Sequence, residues 1–359
     1  MEKKKIFLES HNLNNLATGL GTFNFELISA LSKKNTEDLE IILNVGNLLK
    51  LKKIFGKKFT YNQYLAIQRY PLFYNRSKYD VWHSLNQNTK IEPHHKTKYI
   101  LTIHDVNFFE EISKDLNHKK NKLFIEKLNR ADTITYISEF AKTQTHSYFT
   151  IPKNITEKVI YNGNPVFEFL DTAGVANNFS PKKPYLYSIG DFIERKNFES
   201  IVKMMHHNED FNLIISGNNN KKYGHEIKKI VKNLKLENKV FFTGIVSNIE
   251  KHFYLKNCAA FVFPSIREGF GLPPIEAMKY KKPVFLSKLT SLPEIGSDAA
   301  YYWDNFDPIE MNKKLFEGLN DFERNKTVME NKLYERANFF NWEKSADEYL
   351  KIYRETKNF

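Results

Sequence analysis

The 359-residue chain carries little that would cross-link it or anchor it. Its single cysteine, Cys258, excludes an intramolecular disulfide and any all-cysteine metal cage. No apolar run approaches the roughly 18 residues of a membrane span, and the strongest, Ala259 to Pro264, is far shorter. The opening Met1-Glu2-Lys3-Lys4-Lys5-Ile6-Phe7-Leu8 turns polar again at Glu9-Ser10-His11, without the apolar stretch and small-residue cleavage site of a secretory leader. These absences predict a cytoplasmic compartment. There is no short repeat and no low-complexity tract.

What is present suits a folded protein. The chain is 41% hydrophobic, 27% charged and 14% aromatic, which excludes disorder, collagen and coiled coil. Its length predicts two domains. The net charge is +12, with a pI near 9.3. Residues 1–150 hold 23 Lys+Arg against 15 Asp+Glu, so the excess gathers toward the N-terminus. A basic surface can meet nucleic acid, anionic lipid or phosphorylated substrates, or simply keep a protein soluble. Charge alone does not choose among these.

Short apolar, β-branched or aromatic runs alternate with helical patterns. The strands expected are Lys4–Leu8, Glu40–Val45, Asp80–Ser84, Lys98–His104, Thr133–Ile137 and Lys158–Tyr161, then Tyr185–Ile189, Asn212–Ser216, Lys239–Thr243, Ala259–Phe263, Pro283–Ser287 and Ala299–Trp303. Helical stretches such as Phe23–Leu31, Phe198–His206 and Glu226–Leu234 lie between them. Strand–helix alternation in two series predicts two doubly wound α/β domains. The join falls between Asn162 and Pro184, where Gly163, Pro165, Gly174, Pro181 and Pro184 interrupt any periodicity. The boundaries expected are 1–165, 182–338 and a final helical segment, 339–359. Trp342, Ala346, Tyr349, Leu350 and Tyr353 recur there at helical spacing.

The segment from Phe263 to Met278 is the most informative. It follows an apolar strand and opens a helix, with Pro273 and Pro274 suited to a first turn. Gly269 and Gly271 permit close backbone approach, and amides at a helix N-terminus attract phosphate. Glu268 is expected in the loop and Glu276 in the first turn. Two carboxylates flanking such a cradle fit a ligand with both hydroxyls and phosphates, such as a nucleotide-sugar. For Glu276 the competing reading is a carboxylate offsetting the helix dipole, worth about 0.3–1 kcal/mol. In Gly190–Asn197, Arg195 and Lys196 precede a helix that Asn197 could cap. A bound anion would resolve the conflict of cations with the dipole; a solvated basic turn is the alternative. The loop Ala17–Thr22, with Gly19 and Gly21, resembles a dinucleotide fingerprint weakly, lacking the third glycine and the later acidic residue. His104, before Asp105, ends a strand, where ligands of open α/β sheets bind; His83 is placed similarly. Most lone histidines are structural, and Cys258 reads as a core residue.

These motifs together resemble family-four retaining glycosyltransferases of the GT-B fold, in particular the bacterial mannosyltransferase-like branch that builds surface polysaccharides, lipopolysaccharide among them. The resemblance spans most of the chain. It rests on Glu268-x7-Glu276 with its Gly-Phe-Gly-Leu core, on Arg195-Lys196-Asn197, on Ser291-Leu292-Pro293-Glu294-Ile295, on His104-Asp105, on Gly19/Gly21, and on Ser138-Glu139-Phe140 with Tyr161-Asn162-Gly163. It implies two Rossmann-like domains facing a central cleft, with the donor on the second and the acceptor on the first. It implies that Arg195 and Lys196 neutralise the donor diphosphate beside Gly190, and that Glu276 holds the ribose. Glu268, with the amides of Gly269, Phe270, Gly271 and Leu272, would hold the sugar and phosphate. His104 would bond the sugar near the reacting carbon, and Gly19 and Gly21 would admit the diphosphate. The final helix would cross back to the first domain. Asp191 departs from the family, where many members carry arginine.

The reaction implied is retaining transfer of a hexose from GDP-mannose or a UDP-hexose to a glycan or lipid-linked acceptor. The chain has no Asp-x-Asp metal motif, and no metal or cofactor is expected. Lys50, Lys52, Lys53, Lys57 and Lys58 alternate with Leu49, Leu51, Ile54, Phe55 and Phe59. This stretch, Leu48–Tyr64, reads either as a basic amphipathic segment lying on an anionic membrane or as a solvated helix. Nucleic acid is not expected, since no recognised module accompanies the charge. The competing functions are a nucleotide-sugar epimerase or hydrolase on the same fold, and a non-catalytic basic protein that binds lipid or nucleic acid.

Overall fold

The structure is a computed structural model describing residues 2–356 except 16–17, 167, 173–174 and 176–182. Ala17 of the N-terminal glycine loop, and Gly174 and Pro181 of the expected join, lie outside the described residues. The chain divides into two compact units. Unit 1 is Met1–Pro165 with Asn341–Phe359, and unit 2 is Val166–Phe340.

In unit 1 the described strands are β1 (Lys4–Glu9), β2 (Leu39–Val45), β3 (Thr60–Gln63), β4 (Val81–Ser84), β5 (Lys98–Ile103), β6 (Thr133–Tyr136) and β7 (Thr156–Val159). They form one sheet in the order β3-β2-β1-β4-β5-β6-β7, parallel throughout. Unit 2 holds β8 (Tyr185–Ile189), β9 (Asn212–Ser216), β10 (Val240–Gly244), β11 (Ala260–Phe263), β12 (Val284–Ser287) and β13 (Tyr301–Trp303). Their order is β10-β9-β8-β11-β12-β13, again parallel. Helices cover both faces, so the central strands are continuous apolar runs; β11, Ala-Phe-Val-Phe, is buried at every residue.

Each sheet winds outward from a central strand and then returns to its other side. The reversal falls between β1 and β4 in unit 1 and between β8 and β11 in unit 2. Loops diverge at such a switch point, and ligands of open α/β sheets bind beyond the carboxyl ends of the strands there.

The last helix, Trp342–Glu355, belongs to unit 1. Its periodic residues Trp342, Ala346, Tyr349, Leu350 and Tyr353 are all buried. Trp342 meets Phe23 edge-on, ring centroids 5.6 Å apart, and Ser345 Oγ donates to the Tyr161 carbonyl at 2.6 Å. Below it, Tyr353 Oη and Thr102 Oγ1 occupy the two ring nitrogens of His83 at 2.7 and 2.8 Å.

The basic stretch of unit 1 is not one element. A helix, Leu48–Phe55, ends at Gly56 in a left-handed conformation (φ 57°), and β3 follows. β3 was not foreseen because its Thr-Tyr-Asn-Gln sequence is polar and lies on the sheet edge. The strand expected at Lys158–Tyr161 instead spans Thr156–Val159, set by pairing with β6, which matches Tyr136 to Val159.

Candidate active site

Three neighbouring strands of unit 2 deliver the polar residues. After β8 the chain passes Gly190 and makes a 3-10 turn, Glu194–Lys196, before the helix Phe198–Met204. After β11 it runs through Ser265 and Glu268 to the helix Leu272–Lys279. After β12 it brings Thr290 and Ser291. The first two loops diverge at the switch point of the sheet.

Glu268 is the centre of this arrangement. Its Oε1 accepts from Lys196 Nζ and from Ser265 Oγ at 2.7 Å. Its Oε2 pairs with Arg195 Nη1 at 3.3 Å, and the same guanidinium nitrogen donates to the Arg267 carbonyl at 2.8 Å. The Glu268 amide donates to Thr290 Oγ1 at 3.1 Å. Ser291 Oγ lies 3.0 Å from the Glu268 carbonyl and 2.6 Å from that of Phe270. The turn is stitched to this loop by the backbone as well, Ile266 N donating to the Arg195 carbonyl at 2.8 Å. Glu268 and Lys196 are both buried. Burial opposes ionisation of Glu268, but Lys196 and Arg195 outweigh it and hold the carboxyl below its ordinary range. Burial also lowers the Lys196 pKa, with Glu268 opposing. Asn197 takes the N-cap position but not the capping role. In the left-handed region (φ 51°), its amide donates to the Pro264 carbonyl at 3.3 Å instead.

Gly271 caps the helix Leu272–Lys279 at φ 120°, a conformation side chains rarely adopt. Pro273 and Pro274 occupy the first turn and have no N–H. The donors that this helix cannot itself satisfy therefore gather at Gly271 and Leu272. Phe270 packs its ring on Phe340, centroids 5.3 Å apart, so only its backbone can meet a ligand. Glu276 is not in the first turn; it is the fifth helical residue. That weakens the helix-dipole reading, which fades beyond the first turn. Its Oε2 instead pairs with Lys251 Nζ at 2.9 Å. Lys251 was not foreseen, because a lysine within the helix Asn248–Asn257 carries no sequence signal of its partner. Asp191 pairs with Lys221.

The remaining predicted residues lie in unit 1. His104, after β5, is buried; burial pushes its pKa down to about 4. Its Nε2 faces the Leu85 carbonyl at 2.9 Å, which assigns the proton to that nitrogen and leaves Nδ1 as an acceptor. Phe23 abuts the ring edge-on at 4.6 Å. Gly19 and Gly21 open the helix Gly19–Ser32, where the Thr18 hydroxyl accepts from the Gly21 amide at 3.1 Å. A Cβ on Gly21 would lie 1.8 Å from the Asn15 carbonyl, so this glycine is required by its own loop; Gly19 faces open space. His83 has both ring nitrogens engaged. Among the described residues no cluster suits a metal ion.

The architecture is GT-B: two parallel sheets that superpose on solved glycosyltransferase structures along nearly the whole chain. Sucrose-phosphate synthase from Thermosynechococcus elongatus matches with a TM-score of 0.74 and 19% identity, over 98% of each chain. Anabaena Alr3699/HepE, solved with UDP and glucose, matches with 0.75 and 15%, over 99% of this chain and 100% of that one.

Residues 172–335 match the family of glycosyl transferases group 1. The O-antigen chain mannosyltransferase B of Escherichia coli is 24% identical over 98% of this chain and 99% of its own. The O-antigen chain mannosyltransferase RfbU of Salmonella typhimurium is 28% identical over 56% of this chain and 55% of its own. The second half of the chain thus carries the group 1 glycosyl transferase match, and nearly the whole chain is similar to a bacterial mannosyltransferase, as the resemblance of its motifs implied.

Proposed function

We propose that the protein is a retaining hexosyltransferase that takes its sugar from a nucleotide-sugar, GDP-mannose or a UDP-hexose, and adds it to a glycan or lipid-linked acceptor in surface polysaccharide synthesis. The carrying observation is the Lys196–Glu268–Arg195 cluster, its lysine and glutamate buried and its arginine half-buried, where β8 and β11 diverge. Two cations converge there on one carboxylate, which leaves a positive excess for a diphosphate. The mannosyltransferase relatives support the choice of sugar, and the UDP-bound neighbour supports a nucleotide donor.

In this reading Arg195 and Lys196 stabilise charge growing on the leaving phosphate, with the amides of Gly269, Phe270, Gly271 and Leu272. Gly190 and Gly19 let backbone approach the donor, while Gly21 shapes the N-terminal loop. Glu276 takes the ribose hydroxyls. Glu268 orients both cations and meets the sugar. His104, neutral and offering Nδ1, accepts a hydrogen bond from a sugar hydroxyl near the reacting carbon. The C1–O bond to phosphate breaks through a cation-like state, and the acceptor oxygen bonds C1 from the same face. The acceptor proton passes to the departing phosphate oxygen, which retains configuration and needs no covalent carboxylate intermediate.

The place of work in this reading is the cytoplasm, at the inner face of the membrane. Lys50, Lys52, Lys53, Lys57 and Lys58 are exposed, beside Leu49, 83% exposed, and Ile54. Further along unit 1, Leu65, Ile67, Tyr70, Leu72 and Phe73 are exposed as well. Apolar side chains outside the core and lysines on the same helix are the composition of a surface-lying segment.

A thermal-shift panel of nucleotide-sugars, followed by transfer assays on a responding donor, tests the proposal. A ligand that prefers the native state raises the midpoint. Lys196→Ala and Glu276→Ala should each lower transfer at least a hundredfold with circular dichroism unchanged. Wild-type turnover in either variant refutes the assignment. Consumption of donor without acceptor would favour an epimerase or hydrolase.

A further inference from the structure

We infer that Lys251 is a second ribose-binding residue, forming with Glu276 an acid–amine pair that reads the vicinal diol of a ribonucleoside diphosphate. The inference rests on the proposed role of Glu276 at the ribose.

The helix Asn248–Asn257 is fixed at its start by a capping box. The Glu250 amide donates to Ser247 Oγ at 3.3 Å, and the Ser247 amide donates to Glu250 Oε2 at 2.7 Å. The next two residues each reach the helix Leu272–Lys279 and its cap. Lys251 Nζ meets Glu276 Oε2 at 2.9 Å, and His252 Nδ1 shares a hydrogen bond with Tyr280 Oη at 2.6 Å. Consecutive residues on one helix thus bind residues four apart on the other, and this double attachment sets where the Lys251 head sits.

The two heads differ in access. The Glu276 side chain is 6% exposed and that of Lys251 19%. A lone buried carboxylate is costly, and one partnered by an ammonium far less so. One Glu276 oxygen is held by Lys251, which orients the other as an acceptor. The ammonium has three donors and spends one on Glu276. A ribose diol presents a hydroxyl proton and, one carbon away, a hydroxyl oxygen. Glu276 accepts the first and Lys251 donates to the second. A carboxylate alone could meet the diol only as an acceptor. The pair therefore demands two adjacent hydroxyls, and a deoxynucleotide would leave one partner unmatched in a partly desolvated place.

The test uses the full chain with Lys251→Met, Lys251→Arg and Glu276→Gln. UDP and GDP, each with its 2′-deoxy and 3′-deoxy counterpart, are titrated by calorimetry, and KM and kcat are measured with the donor found by thermal shift. The wild type should bind one ribonucleotide at least tenfold tighter than its deoxy forms. Lys251→Met should lose about tenfold for the ribonucleotide and under threefold for a deoxy form. Its KM should rise with kcat held within about twofold, and Lys251→Arg should restore most of the loss. If Lys251→Met keeps full ribose discrimination while Glu276→Gln abolishes it, Lys251 is a structural partner only and the inference is overturned, with the reading of Glu276 intact. If Glu276→Gln leaves nucleotide binding and discrimination untouched, both fall.

Discussion

Glu268 accepts from two cations and a hydroxyl while buried, which makes it a stability element as well as a proposed site residue. Removing one partner of such a group strands the other charge, at a cost of about 3–5 kcal/mol. Glu268→Gln should therefore lose a few kcal/mol in urea unfolding. Lys196→Met combined with it should lose less than the sum, with a coupling of about 0.5–3 kcal/mol. Strict additivity would remove the cluster from the account. The histidines give a pH signature of opposite origin. Burial lowers His104 to about 4. Burial, aided by His104, lowers His83 to about 3. Both titrate near 6.5 when unfolded. Below that value the unfolded chain binds more protons, so stability is complete above pH 6.5 and falls as pH drops toward 4. Each histidine should cost about 2 kcal/mol between pH 6.5 and 5. Unfolding free energies at the two pH values check this, and His104→Gln should flatten the slope. The pairing of Glu268 with Lys196 was only half legible in the sequence. Spacing put both at carboxyl ends of strands, but the cation–carboxylate contact joins residues 72 apart. Lys251 was illegible for the same reason.

Elements were legible where the period was strong. The final helix follows its apolar spacing, and every buried strand of unit 2 lies within two residues of its apolar run. β3 escaped because an edge strand with one exposed margin needs no apolar run. Its presence divides the basic stretch, so the helix Leu48–Phe55 presents Lys50, Lys52 and Lys53 by itself, while Lys57 and Lys58 stand in the turn. Leu51 is its one buried residue. Charge reversal at Lys50, Lys52 and Lys53 should weaken binding to anionic vesicles at least tenfold, since each lysine near such a surface contributes about 1 kcal/mol. Unchanged co-sedimentation would return this helix to an ordinary solvated role. Leu49→Asp should act in the same direction through its apolar contribution.

For the whole molecule, the two-domain plan was readable because both series of strands alternate with helices. The membership of residues 341–359 in unit 1 is a tertiary fact that no local period encodes. Deleting them should destabilise unit 1 selectively. The truncation uncovers Phe23, and strips His83 and Thr102 of their tyrosine partners. Urea unfolding should then separate into two transitions, with fluorescence from Trp82 of unit 1 moving first and Trp303 of unit 2 keeping its midpoint. A single unshifted transition would show that the helix contributes little. No described helix is long and apolar enough to cross a membrane.

That last helix also orders events during synthesis. A ribosome releases residues 166–340 as an uninterrupted stretch, so the later-made unit has all its parts while the first-made one still lacks its closing piece. The half begun earliest is thus finished last, and a nascent chain stalled near residue 340 would show chaperones and proteases an open seam beside Phe23 and His83.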